Sequence, residues 1–393
     1  MNTEELIQTE KEVILGTYTR PKFVLTHAKG LTVYDSDGNS YLDFVSGIAV
    51  NALGHGDEHL LEILREQATR LWHCSNLYYT EPQVRLAKFL VENTFADKVF
   101  FANSGAEAIE GSIKFARKWA RGAKGKDCSE LIAFNRSFHG RTMGALSVTG
   151  QPKFWQGFEP LVPGIRFAEF NDLGSVVGIV SERTCAVLVE PIQGEGGIYP
   201  AEIEFLQGLR DLCDRNHILL ILDEIQCGLG RTGSFCACEQ FDIEPDIMAL
   251  AKPMAGGLPM GAVLMTDEVA GAIKPGDHAS TFGGGPLIAA VAEQVVRRLS
   301  DSDFLGQVTE KGKYLVSKLE ELKSERSDIL SVRGMGLLIG VVLDREVSSI
   351  IEACARNGLL VCKAGPNVVR FVPPLCVETE HIDNAIDIFE ESL

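Results

Sequence analysis

The sequence predicts an α/β protein built on a mainly parallel sheet, with a smaller α+β module after it. Three observations predict this. Short apolar runs of strand length alternate with amphipathic helical stretches from about residue 46 onward, and such alternation belongs to a sheet covered by helices on both faces. Polar, glycine-containing segments follow several of these runs, at the carboxyl ends of strands, where open α/β sheets collect their binding residues. The chain has 393 residues, more than a single domain of roughly 100–200 residues needs, so two or more domains and a large buried core are expected.

In chain order, the first 45 residues read as a helical or irregular lead and then short strands. Leu31 to Phe44 carries two apolar runs around Ser36-Asp37-Gly38-Asn39, a hairpin signal. Candidate strands follow at 98–102, 130–134, 186–189, 218–222, 247–250 and 262–265, with helical patterns between them such as 106–121 and 202–215. A third region opens near residue 286. There 286–300 and 304–324 read as helices, and 337–343, 359–362 and 368–371 as strands.

Composition excludes some function classes. Lys and Arg number 37 against 54 Asp and Glu, for a net charge of −17. That opposes nucleic-acid binding, which needs clustered cations against phosphates. A small anionic substrate is not opposed, because a few arginines in a cleft set the local field. Met1 to Val13 is polar and acidic, without the basic and apolar regions of a signal peptide, and no apolar run is long enough to span a bilayer. The ten cysteines show no disulfide framework and read as reduced thiols of a cytoplasmic protein. Cys227, Cys236 and Cys238 are the closest group, but a metal site would need a fourth ligand, and none stands at suitable spacing.

The chemistry lies in six segments. Ile218 to Leu222 runs into Asp223-Glu224-Ile225-Gln226. A carboxylate at the end of a buried strand is costly unless it caps a helix, reaches solvent or meets a cation. Lys252 ends the next apolar strand, before the glycine-rich Pro253-Met-Ala-Gly-Gly-Leu-Pro-Met-Gly261. Most lysines are solvated, whereas a desolvated one has a lowered pKa and attacks aldehydes. Asn103-Ser104-Gly105-Ala106 opens a helix after a strand, an anion site or an ordinary cap. Ser137-Phe138-His139-Gly140-Arg141-Thr142 offers an aromatic face and a guanidinium fit for a carboxylate. Glu190-Pro-Ile-Gln-Gly-Glu195-Gly-Gly197 and Ser280-Thr281-Phe-Gly-Gly284 are polar turns. Together an anion cup, an aromatic, an arginine, an Asp and a nucleophilic Lys make the parts of a pyridoxal-phosphate (PLP) site.

On these segments and their order, and on Gly47-Ile-Ala-Val-Asn-Ala-Leu-Gly-His55 and Trp72-His-Cys-Ser-Asn-Leu-Tyr-Tyr-Thr-Glu81, the chain resembles the class III PLP-dependent aminotransferases over nearly its whole length. Within them it is most similar to the acetylornithine type. The resemblance implies PLP fold-type I, with a large domain at 46–285 and a small one joining 1–45 to 286–393. It implies that Ser104, Gly105 and Ala106 bind the cofactor phosphate, that Phe138 and Ile225 cover the two ring faces, that Asp223 pairs with the ring nitrogen, that Gln226 reaches the ring hydroxyl and that Lys252 carries the Schiff base. Thr281 would reach the cofactor phosphate of a partner in a homodimer. Arg141 and Ser280 would hold the substrate. Glu195 would pair with Arg370 and release it for glutamate or 2-oxoglutarate. The implied reaction moves the terminal amine of N-acetylornithine to 2-oxoglutarate; ornithine, succinylornithine, 4-aminobutyrate and lysine-pathway amines are alternatives, with Arg141 favouring an α-carboxylate.

Several positions depart from the family pattern. Gly54-His55-Gly56-Asp57 lacks the second histidine and proline that often follow the first, Pro253-Met254 follows Lys252 where a small or apolar pair without proline is more usual, Gly284-Gly285-Pro286 stands where Gly-Gly-Asn or Gly-Gly-Ser usually precedes the proline, and Cys227 replaces a frequent threonine. A dehydrogenase reading would rest on Gly228-Leu-Gly230-Arg-Thr-Gly233, which fits G-x-G-x-x-G. That fingerprint needs strand, tight turn and helix in immediate succession, and residues 224–227 intervene. An inactive binding protein on the same scaffold would not need both Asp223 and Lys252.

Overall fold

The computed structural model describes residues 1–393. A helix at Thr3–Val13 comes first, capped reciprocally by Asn2 and Glu5, with none of its residues buried. Three antiparallel strands follow: β1 (Leu25–Lys29), β2 (Thr32–Asp35) and β3 (Ser40–Asp43). Asp35 closes the β2–β3 hairpin. Its carboxylate accepts the backbone N–H groups of Asp37 and Asn39, the Asn39 amide, and the Tyr41 hydroxyl at 2.7 Å.

The central sheet uses β4 (Lys98–Ala102), β5 (Glu130–Phe134), β6 (Ile165–Ala168), β7 (Thr184–Val189), β10 (Leu219–Asp223), β11 (Ile247–Leu250) and β12 (Gly261–Met265), in the order β4-β12-β11-β10-β7-β5-β6. The short pair β8 (Ile192–Gln193) and β9 (Tyr199–Pro200) stands apart. Only β12 runs against its neighbours; the others are parallel. Every residue of β7, β10, β11 and β12 is buried, as strands covered on both faces require. Strand alternation splits the core in two. Leu219 and Ile221 share one cluster with Ile109 and Ile113 of the helix Gly105–Ala123, while Leu220 and Leu222 share another with Leu206 and Leu209 of the helix Ile203–Asn216.

The C-terminal region adds β13 (Ile329–Met335), β14 (Leu338–Leu343), β15 (Leu359–Leu360), β16 (Cys362–Lys363) and β17 (Val368–Phe371). Four of them form the sheet β13-β14-β17-β16, and β15 instead pairs in parallel with β3, Leu359 opposite Leu42. The stretch 359–362, expected as one strand, therefore serves two sheets. The glycines of the dinucleotide-like motif lie in turns, followed only by a short 3-10 helix at Ala237–Phe241, so the strand–turn–helix geometry of that fingerprint is not formed. No helix is long and apolar enough to cross a membrane.

Candidate active site

The parallel strands deliver one residue set to one place. Ser104 caps the helix after β4, accepting the Glu107 N–H at 3.2 Å. Phe138 and His139 follow β5, Glu190 follows β7, Asp223 ends β10, and Lys252 comes two residues after β11. Together with Gly105, Ala106, Ile225 and Gln226 these residues line a cavity of about 360 Å³. Met260, just before the reversed strand β12, lines it too.

Lys252 sits at the centre of the electrostatics. Its backbone has φ +37°, a left-handed conformation in which a non-glycine residue is strained. Burial lowers its amine pKa from 10.5 to about 8, with Arg370 acting in the same sense and Glu195, Asp223 and Glu190 opposing. The amine is therefore partly neutral, and nucleophilic, near neutral pH.

Asp223 is 4% exposed. One carboxylate oxygen accepts the Ile225 N–H at 3.0 Å and the other lies 2.7 Å from His139 Nδ1. His139 Nε2 is buried without a partner in the chain. Glu190 accepts the N–H groups of Phe138 at 3.0 Å and Gly194 at 3.3 Å. Burial, and then the Asp223 charge, push its pKa well above the usual carboxylate range. Neither His139 nor Glu190 had a role assigned from sequence. His139 is 84 positions from Asp223, and its presence beside Phe138 in the quoted motif was the only signal. The acid next to Asp223 turns elsewhere. Glu224 accepts the N–H groups of Ala237 and Cys238 at 2.6 and 2.7 Å, and burial lifts its pKa to about 7 against those bonds. It braces the turn after β10. The buried thiols Cys236 and Cys238 flank that turn.

A second cluster adjoins the cavity. Arg370 on β17 is 1% exposed. It pairs with Glu195, donates to Gln226 Oε1 at 3.0 Å, and sets its Nε 3.3 Å from the Cys362 thiol. Burial alone would raise the Glu195 pKa, but Arg370 and then Lys252 outweigh it and hold the carboxylate low.

Besides Glu195 and Arg370, three more expected site residues stand outside the cavity. Arg141 is exposed, its guanidinium 3.9 Å above the Phe154 ring and 5.6 Å from that of Phe138. Ser280 and Thr281 line a separate cavity of about 550 Å³. Ser280 is linked to the first through Asn103, whose amide donates to the Ser280 hydroxyl at 3.2 Å. Thr281 is exposed.

The family profile described as aminotransferase class-III matches residues 16–393. The chain belongs to the class-III aminotransferases. It is therefore a transferase enzyme of fold-type I. It is 49% identical to the acetylornithine aminotransferase of Clostridium acetobutylicum over 98% of this chain and 99% of that one. Among solved structures, the N-acetylornithine aminotransferase of Stenotrophomonas maltophilia is 38% identical, with a TM-score of 0.85 and 98% of each chain covered. An ornithine aminotransferase of Toxoplasma gondii, with partial PLP occupancy at its active site, is 31% identical. Its TM-score is 0.96, covering 100% of this chain and 94% of that one. Backbone likeness thus does not sort the family by amino donor.

The cavity fits the cofactor. The first N–H groups of the helix Gly105–Ala123 have no intrahelical acceptor and suit a phosphate. Gly105 leaves a close approach open, since a Cβ there would stand 2.8 Å from Ile225 Cδ1. A carboxylate and a depressed lysine complete the donor set.

In cofactor-free protein, arylation of Lys252 by trinitrobenzenesulfonate, followed by mass spectrometry of its peptide, should rise with pH about a midpoint near 8. A midpoint above pH 10 would put the amine in ordinary solvent.

Proposed function

We propose that the protein transfers the terminal amine of N-acetylornithine to 2-oxoglutarate, giving N-acetylglutamate 5-semialdehyde and glutamate, as a step of arginine biosynthesis. The reaction class rests on the desolvated Lys252 amine sharing a cavity with Asp223. The donor rests on the 49% identity to a relative named acetylornithine aminotransferase.

When bound, PLP supplies an electron-withdrawing ring that stabilises a carbanion and stores the amino group between two half-reactions. Lys252 would hold it through its amine and would accept the proton from the amine-bearing carbon of the substrate. Asp223, oriented by His139, would hold the proton on the ring nitrogen. Ser104, Gly105 and Ala106 would take the phosphate, Phe138 and Ile225 would enclose the ring, and Gln226 would meet its hydroxyl. Arg141, exposed and without a carboxylate partner, takes the α-carboxylate of the donor with help from Ser280. Glu195 covers Arg370 while the amine donor reacts and yields it to the second carboxylate of 2-oxoglutarate. We further propose a cytoplasmic homodimer in which Thr281 completes the partner's phosphate site, and a division into a large domain at 46–285 and a small one at 1–45 with 286–393.

Mixed with one amine and no keto acid, the holoenzyme should lose its visible band fastest with N-acetylornithine. Faster loss with ornithine or 4-aminobutyrate would move the donor and keep the class.

Arg141→Ala should raise KM for N-acetylornithine about 10- to 100-fold, the range of one charge-assisted hydrogen bond, with cofactor content unchanged. Steady-state kinetics and absorbance check both. Loss of cofactor with an unchanged KM would reassign Arg141.

A further inference from the structure

The helix Gly105–Ala123 is engaged at two places along its length. Its first residues line the cavity of Lys252. Farther on, Lys114 and Lys118 stand one turn apart, and both hold the loop that leads to Ser280 and Thr281. Lys118 Nζ lies 2.9 Å from Asp277 Oδ1, and Lys114 Nζ lies 2.7 Å from His278 Nδ1. The His278 ring also packs on two phenylalanines. Its centroid is 4.8 Å from that of Phe100 on β4 and 5.5 Å from that of Phe115 on the helix. Two residues later the Ser280 carbonyl accepts the Asn76 amide at 2.9 Å. Thr281 follows, exposed. Its place is set by the contacts of the residues before it.

The contact between Lys114 and His278 depends on charge. An ammonium has donors and no acceptor, so Nδ1 must accept, and only a neutral imidazole can do so there. A proton on His278 removes the acceptor and sets two cations side by side. Partial burial, and then Lys114, hold the His278 pKa below its ordinary value, while Glu107 and Glu110 on the same helix oppose. The charged neighbours on the loop itself are tied up. Asp277 pairs with Lys118 and accepts the Lys274 N–H at 2.7 Å. The docked loop therefore binds fewer protons than a released one. Docking has its full strength above the ordinary histidine pKa near 6.5 and weakens as pH falls below it.

We propose that Lys114 and His278 form a proton-sensitive latch that positions Thr281, so that the helix whose N-terminus serves one cofactor phosphate also steadies the loop that reaches the partner's. This rests on the partner-phosphate role proposed for Thr281. His278 is a positioning residue and acts through Thr281. The consequence is a loss of cofactor affinity in mild acid that arises at neither Lys252 nor Asp223.

The test compares holoenzyme with three variants. Hydrogen exchange of the 277–284 peptide reads the latch, and the cofactor dissociation constant, from the visible band, reads its consequence. His278→Asn keeps an acceptor near the place of Nδ1 and cannot take a proton. Its loop should stay protected from about pH 7.5 to about pH 5.5, one unit either side of the ordinary histidine value. Over that span the wild-type dissociation constant, divided by that of His278→Asn, should rise about three- to tenfold, ten being the limit for one proton over one pH unit. Lys114→Met removes the donor from an exposed position, and its loop should exchange faster, with weaker cofactor binding, already at the upper pH. Thr281→Ala should weaken the cofactor throughout. A ratio that stays flat with pH overturns the proposal, and so does unchanged loop exchange in Lys114→Met. If Thr281→Ala weakens the cofactor and Lys114→Met does not, the reading of Thr281 stands and the latch falls. If the loop loosens in Lys114→Met while Thr281→Ala holds cofactor like the wild type, the partner-phosphate reading fails and the proposal with it.

Discussion

The site depends on one partly buried lysine amine set among fixed charges. An ammonium short of water is costly, and at Lys252 that cost appears as a pKa lowered to about 8. Burial is the largest cause, and the nearby carboxylates Glu195, Asp223 and Glu190 temper it. Arg370 adds to the depression, so its pairing with Glu195 does two things at once: it neutralises a buried guanidinium and limits the positive field at Lys252. Moving either partner changes the reactivity of the amine.

The fold makes this crowding of charges affordable by spreading its supports over separate strands. β5, β7, β10 and β11 run parallel, so their carboxyl ends meet at one edge, and each contributes one or two groups from a short connection beyond it. The reversed strand β12 enters that edge with its first residues instead, Gly261 packing against the Ser104 carbonyl. The two apolar cores on the faces of the sheet keep these ends in register, while the polar turns above supply chemistry. The two acids at the end of β10 show the division: Asp223 faces the cavity and Glu224 holds the following turn through two backbone N–H groups.

Much of this is legible along the chain. Apolar runs of strand length marked β4, β5, β11 and β17 at their observed bounds; the last three are buried almost throughout, and a strand buried on both faces leaves a compact hydrophobic signature. β10 was placed one residue early, which left Asp223 just beyond the strand it ends. β1, β6 and β13 went unread. β1 is almost wholly exposed, β6 has only four residues and β13 is largely half-buried, so neither an unbroken apolar run nor a clean alternation singles them out. The split of 359–362 between two sheets depends on the distant pairing with Leu42. At the site, residue types revealed Lys252, Asp223 and the helix opening at Ser104. The pairing of His139 with Asp223 and the enclosure of Glu190 are properties of folded distance, and the separate cavity of Ser280 and Thr281 is equally invisible in one dimension.

The most direct test of the central claim is to locate the covalent bond. Purified protein is incubated with pyridoxal phosphate, reduced with borohydride, digested and mapped by mass spectrometry. The account predicts a single modified residue, Lys252, at close to one label per chain. Label spread over surface lysines, or none on Lys252, would contradict it.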